Sequence, residues 1–109
     1  MNNYLFQVAY TSEAWQTLIK RPDNRAETIR PVIQKMGGDI SASWVCGGDF
    51  DLVVIMRLPD EVAAQATAMA FKAGGALRDV KFTRLLSWQE GMDAMEKAAG
   101  LGYRPPSSD

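Results

Sequence analysis

Histidine is absent from the 109-residue chain, and cysteine occurs once, at Cys46. Histidine is the commonest general base, the commonest ligand of transition metals and the usual proximal ligand of haem. A lone cysteine cannot form an intrachain disulfide or a thiolate cluster. We therefore expect no metal site and no cofactor. We interpret Cys46 as a small buried hydrophobic residue, because no basic residue adjoins it in the sequence.

The chain also lacks an excess of basic residues and a long apolar run. Its 12 Lys and Arg residues are balanced by 13 Asp and Glu residues, whereas nucleic-acid-binding domains usually carry a basic excess. No apolar run approaches the ~18–20 residues that cross a bilayer. The opening, Met1 to Tyr4, has no basic region followed by an apolar one, so it does not resemble a signal peptide. We expect a cytoplasmic protein with no nucleic-acid partner and no membrane partner.

The composition that remains is typical of a globular protein, with 47% hydrophobic and 23% charged residues. A chain of this length has room for one hydrophobic core. We expect a single domain over residues 1–100. Residues 101–109, which end in Arg-Pro-Pro-Ser-Ser-Asp, are predicted to form a flexible tail.

Four segments have the patterns of β-strands, at residues 4–10, 39–46, 50–58 and 80–86. In the first, Tyr4, Phe6 and Val8 alternate with Leu5, Gln7 and Ala9, which places the two sets on opposite faces. The second and third segments are joined by a short glycine-rich turn at residues 47–49, so they are predicted to form a hairpin.

Helical periodicity separates these strands. A short helix capped by Ser12 is followed by a longer helix that begins near Asn24, and Pro31 predicts a kink or a late start in the latter. Asp60 is the predicted N-cap of the next helix, whose buried stripe we predict to be Val62, Ala63, Ala66, Met69, Ala70 and Ala73. Ser87 and Glu90 form a capping box that begins a last helix. The apolar residues of that last helix share one face, namely Trp88, Met92, Met95 and Ala99.

The order β-α-β-β-α-β is that of an α+β, ferredoxin-like fold with a four-stranded antiparallel sheet, here with an extra C-terminal helix. Two helices cover only one face of such a sheet. The other face is predicted to carry Leu5, Ala9, Val53 and Ile55, an apolar patch larger than a stable monomer usually exposes. We therefore expect a homodimer formed through the open sheet face, a dimeric α/β barrel.

The sequence resembles the GYD domain family, whose members are small bacterial proteins of the dimeric α/β-barrel class. The resemblance covers residues 4–97 and is carried by the opening YLFQVAYT, by Arg25, and by Gly37-Gly38. It continues through Gly48-Asp49-Phe50-Asp51, LVVIMRLPDEVAA and VKFTRLLSWQE. Phe50 stands where the family has the tyrosine of its G-x-Y-D motif. The resemblance implies the fold and the dimer but no biochemical role.

Aromatic and charged residues near the strand ends are the candidate binding residues. Tyr10, Trp44 and Trp88 are predicted to form the walls of a small-molecule pocket, with Asp51 and Arg84 as its polar contacts. Each has a structural alternative. We favour that alternative for each of them: the aromatic residues as core or dimer contacts, Asp51 in a turn that hydrogen-bonds its own backbone, and Arg84 at the sheet edge.

A basic cluster at the start of the first long helix is a further candidate. Lys20, Arg21, Arg25 and Arg30 together fit a site for a phosphate or a carboxylate. Because Asp23 and Glu27 lie among them, a solvated face of mixed charge is the interpretation that we favour.

Three functions remain open at this point. We favour a homodimer that binds a small apolar or aromatic molecule without catalysis, because no known catalytic motif is present. The second hypothesis is a cofactor-free enzyme of the isomerase or monooxygenase type, which rests on analogy of fold. The third is an assembly or ligand-sensing regulatory module.

Overall fold

The computed structural model describes residues 1–107 and has the α+β, ferredoxin-like architecture expected from the sequence. Its strands are β1 (Asn2–Tyr10), β2 (Asp39–Val45), β3 (Leu52–Leu58) and β4 (Leu77–Leu85). Its helices are α1 (Ser12–Lys20), α2 (Arg25–Lys35), α3 (Glu61–Ala73) and α4 (Trp88–Ala99). Residues 101–107 form neither helix nor strand, and the last two residues of the predicted tail, 108 and 109, lie outside the described residues.

The four strands form one antiparallel sheet in the order β2-β3-β1-β4. On β1, Tyr4, Phe6 and Val8 are buried on the face that the helices cover, as the alternation predicts. Val54 and Met56 lie opposite them on β3. The hydrophobic core therefore lies between this face and helices α2 and α3.

The opposite face of the sheet carries a half-buried apolar strip. Leu5 on β1 is paired with Ile55 on β3, and Val53, on the same face, is paired with Gln7 two residues further along. Ala9, which we expected on this patch, is fully buried beside an irregularity in the β1–β4 register. The half-buried strip on this face is therefore shorter than the apolar patch that the sequence predicts.

The helix starts follow the capping rules, with one shift of position. Thr11 and not Ser12 caps α1, because the Thr11 side chain accepts the Ala14 N–H and Ser12 is already helical. Asn24 caps α2 and Asp60 caps α3, as predicted. Ser87 and Glu90 form the predicted reciprocal capping box of α4.

Helix α2 begins at Arg25 and continues through Pro31 to Lys35. The prediction of a late start is wrong. Proline removes one hydrogen bond from a helix interior, but Ala26 and Ile33 are buried on either side of it. Tertiary packing of this kind supplies most of the stability of a protein helix, which explains why the helix persists.

The face that α3 turns toward the sheet differs from the predicted one. Ala64, Thr67 and Ala68 are buried, whereas Val62 and Met69 are exposed. The prediction followed the larger apolar residues. The structure instead presents the smallest side chains, which allow the helix to approach the strands closely.

None of the helices in residues 1–107 is long and apolar enough to cross a membrane.

Candidate functional site

Three of the predicted site residues lie together at the end of the sheet where β1 finishes. Tyr10, Trp44 and Asp51 line a cleft of about 600 Å³, which we call the small cleft. Trp44 forms part of its rim and is largely exposed. The structure therefore brings together one phenol, one indole and one carboxylate from the predicted set.

The other two predicted residues lie at the opposite end of the sheet. Arg84 pairs with Tyr4 across the β1–β4 ladder, whereas Asp51 contacts Tyr10. Six residues of β1 separate those two positions, a distance of roughly 20 Å at the usual rise per strand residue. Asp51 and Arg84 therefore do not form the polar pair that we considered from the sequence.

Arg84 is held in a separate hydrogen-bond network, and Trp88 does not line the small cleft. The Arg84 guanidinium donates to Asn2 at 2.8 Å and to Glu90 at 3.0 Å. The Tyr4 hydroxyl, in the same region, donates to Glu61 at 3.0 Å, and burial raises its pKa. This network connects the sheet to the first turns of α3 and α4. Trp88 is 83% exposed at the start of α4.

A second, larger cleft adjoins the small one. It has a volume of about 710 Å³ and lies between β1, β3 and helices α1, α2 and α3; we call it the large cleft. Its walls are mostly apolar and include Val8, Leu18, Ile29, Leu52, Phe71 and Leu77. The two clefts share six lining residues, namely Tyr10, Leu18, Pro22, Asp23, Arg25 and Leu52.

The Asp51 carboxylate has a structural role at the boundary of the small cleft. One oxygen, Oδ2, accepts the Tyr10 backbone N–H at 2.9 Å and the Trp15 indole N–H at 3.2 Å. Bonds to an ionised acceptor are the stronger kind of hydrogen bond. Asp51 therefore fixes α1 and the end of β1 against the β2–β3 hairpin, and with them the position of Tyr10.

Tyr10, Asp23 and Arg25 are the polar side chains that line both clefts. The Tyr10 ring is half-buried and makes an edge-to-face contact with Trp15 at 5.5 Å between ring centres. Burial raises the pKa of Tyr10, and the nearby Arg25 guanidinium opposes that shift. The phenol is therefore neutral at physiological pH and retains a hydroxyl proton that it can donate.

Charge at the mouth of the large cleft is nearly balanced. Arg25 forms an ion pair with Asp23 at 3.1 Å. Arg21 is exposed on the cleft wall and has no ion-pair partner in the described part of the chain. Of the basic cluster seen in the sequence, Arg30 faces elsewhere, because it binds Glu27 and Asp39. The cluster is thus divided between a cleft wall and a mixed-charge surface.

Cys46 and the acidic residues provide no alternative centre. The Cys46 thiol donates to the Phe50 carbonyl at 3.2 Å, inside the loop that connects β2 to β3. Among residues 1–107, no three side chains of His, Cys, Asp or Glu lie close enough together to hold a metal ion.

Trp15 and Arg25 are two cleft residues that the sequence-based site does not include. Trp15 belongs to α1, and its hydrogen bond to Asp51 joins residues 36 positions apart. Arg25 belongs both to the basic cluster and to the residues that carry the family resemblance. That double occurrence is the signal that the sequence offers.

The family model of the GYD domain matches residues 4–95 of the chain. No curated protein and no solved structure gives a significant match.

Proposed function

We propose that this chain, which belongs to the GYD domain family, binds a small apolar or aromatic molecule in the large cleft without catalysis. The observation that carries the proposal is the cleft of about 710 Å³ with mostly apolar walls beside Tyr10 and Arg25.

The size and chemistry of the large cleft support a small-molecule ligand. Binding pockets for such ligands usually measure ~300–1,000 Å³ and combine apolar walls with a few fixed polar groups. Leu18, Ile29 and Phe71 supply apolar surface from three different helices. Burial of apolar ligand surface against such walls contributes roughly 25 cal/mol per Å².

Tyr10 and Arg25 supply the polar contacts that orient a ligand. The Tyr10 backbone is held by Asp51 and its ring by contact with Trp15, so the phenol occupies a fixed position. Preorganised groups of this kind lose little conformational freedom on binding. The same contacts occupy one Asp51 oxygen twice, which favours a binding role for this region over acid–base chemistry by Asp51.

A fluorescence titration with neutral N-phenyl-1-naphthylamine tests the binding proposal. Ala14 lines the large cleft, and Gln16, on the same helix, is exposed and outside it. Ala14→Phe fills part of the cleft and should weaken probe binding at least tenfold, whereas Gln16→Phe should leave it unchanged. Equal binding by the parent and both variants, or no binding by the parent, would contradict the proposal.

We further propose that the working form is a homodimer that uses the open sheet face. The support is the half-buried strip around Leu5, Val53 and Ile55, which no helix of the described chain covers. Light scattering should give about twice the chain mass of 12.0 kDa. A clean monomer at micromolar concentration would contradict it.

A further inference from the structure

We propose that helix α4 is a docking element for a second copy of this chain, with its apolar strip buried in the dimer interface. The α4 strip consists of Trp88, Met92 and Met95. The inference rests on the homodimer proposed above and assigns a specific element to its interface.

Helix α4 is not packed into its own domain. The radius of gyration is 17.6 Å, whereas a compact chain of this length has a radius of about 13 Å, and both α4 and the exposed residues 101–107 that follow it contribute to the difference. The longest dimension is 59 Å and the shortest is 22 Å. No residue of α4 is buried, so the helix extends from the body of the protein.

The exposed surface area of the chain is also larger than that of a compact monomer. The chain exposes 7722 Å², and a compact folded monomer of 12.0 kDa would expose about 6,000 Å². Helix α4 and the exposed residues 101–107 that follow it both contribute to the excess of roughly 1,700 Å². The share of this excess that belongs to α4 is surface available to a homodimer interface, which buries ~800 Å² per subunit at standard size.

The open sheet face alone offers little exposed apolar surface. Leu5, Val53 and Ile55 are already half-buried in the single chain. Trp88 and Met95 of the α4 strip are instead 83% and 62% exposed. The α4 strip lies next to the sheet edge, since α4 directly follows the edge strand β4. An interface that includes the strip therefore buries more apolar surface than one formed by the sheet face alone.

Helix α4 is amphipathic, and its orientation relative to the sheet is fixed. Its strip residues recur at helical spacing and are all exposed; Met95 is 62% exposed. The capping box at Ser87 and the bond of 3.0 Å from Arg84 to Glu90 fix the first turn relative to the sheet. The strip is therefore presented in one orientation, which lowers the entropic cost of docking.

The charges of α4 favour a second copy over a membrane surface. The polar side of the helix carries three acids and one base, at Glu90, Asp93, Glu96 and Lys97. Helices that lie on anionic membranes are instead rich in Lys and Arg on that side. A second copy of this chain carries matching uncovered apolar surface, namely its own α4 strip and the apolar strip of its open sheet face.

Sedimentation velocity of the full-length chain tests this assignment. Met95→Glu introduces a charge into the α4 strip, and Ile19→Glu introduces the same charge at a 73% exposed site on α1. Both positions are exposed in the single chain, so both variants should fold. We expect Met95→Glu to raise the dimer dissociation constant at least tenfold and Ile19→Glu to leave it within twofold of the parent.

Three results would overturn the inference, and they separate it from the proposals on which it rests. If Met95→Glu dimerises as tightly as the parent, α4 is not in the interface although the dimer stands. If the parent is monomeric, the dimer and the role of α4 both fail, while probe binding still reports on the large cleft. Equal weakening by both variants would show a non-specific charge effect.

Amide hydrogen exchange of the parent chain provides a check that needs no variant. The exposed strip of α4 should become protected as the protein concentration rises through the dimer dissociation constant. Exchange of α4 amides that does not depend on concentration would contradict docking on a second copy.

Discussion

Replacing Gly38 with alanine introduces a methyl group where the structure has no space for one. An alanine Cβ at this position would lie 2.8 Å from Leu58 Cδ2 and closer still to the Arg57 carbonyl oxygen. Leu58 is fully buried, so its side chain is surrounded by other core atoms. Arg57 is a central-strand residue that pairs with Asn3 on one side and Asp39 on the other, so its carbonyl is fixed as well.

The loss of stability depends on which atoms have to move to make room for the methyl group. Overpacking of a tight site costs ~1–3 kcal/mol, and each ladder hydrogen bond strained by a backbone shift adds about 1 kcal/mol. We expect Gly38→Ala to lower the free energy of unfolding by about 3 kcal/mol, out of the ~5–15 kcal/mol typical of a domain. At ~4 °C per kcal/mol for a chain of this size, Tm should fall by about 12 °C.

Differential scanning calorimetry and urea unfolding followed by circular dichroism measure this effect. Gly47→Ala is the matched control, because nothing lies within 4 Å of its Cβ position and its φ is not positive. That variant should be neutral or stabilised by up to ~1 kcal/mol. A Gly38→Ala protein that melts within two degrees of Gly47→Ala would show that the Gly38 site accommodates a methyl group after all.

Two further predictions concern helix packing and pH. Ala64→Leu should lower the free energy of unfolding by ~1–3 kcal/mol because Ala64 is fully buried. Gln65→Leu, at the exposed neighbouring position, should change the free energy of unfolding by less than ~0.5 kcal/mol. Equal urea midpoints for the two variants would contradict the observed buried face of α3. The Arg30 side chain holds the pKa of Glu27 below its ordinary value of 4.5. The contribution of the Glu27–Arg30 pair to stability is therefore complete above pH 4.5 and is lost as the pH falls through the lower, folded-state pKa of Glu27. Arg30→Gln should therefore show a smaller loss of stability between pH 5 and pH 3 than the parent, and parallel curves would show that the pair contributes nothing.

The fold was predictable because its strand and capping signals are local. The alternation of Tyr4, Phe6 and Val8 places the core face of β1, and a two-residue period leaves no second solution once one face is buried. Asn24 and Asp60 satisfy helix N–H groups three residues away, so both starts can be read directly from the sequence. Where a local rule met tertiary packing, as at Pro31, packing determined the outcome.

The buried face of α3 was not predictable from hydrophobicity, because alanine is frequent on several sides of this helix. Ala66 lies about 200° of helix rotation from Ala64 and Ala68, on nearly the opposite face, yet all three have the same side chain. What distinguishes them is how closely the helix approaches the sheet. That distance is set by the strands and not by the helix sequence.

The site was predictable in part. Asp51 lies just before β3 and Tyr10 ends β1, and antiparallel pairing brings those two chain ends together. The same topology places Arg84, near the end of β4, beside the start of β1, and this could have been inferred from strand order alone. The roles of Trp15 and Arg25 depend on how α1 and α2 fold over the sheet, which no spacing in the sequence encodes.

The claim that a small apolar molecule occupies the large cleft is tested most directly by nuclear Overhauser measurements on the chain with N-phenyl-1-naphthylamine bound. We expect contacts from the probe to the Leu18 and Ile29 methyl groups and to the Phe71 ring, which line the cleft from α1, α2 and α3. These contacts should disappear in Ala14→Phe. Contacts confined to the exposed Met92 and Met95 side chains of α4, with none in the cleft, would contradict it.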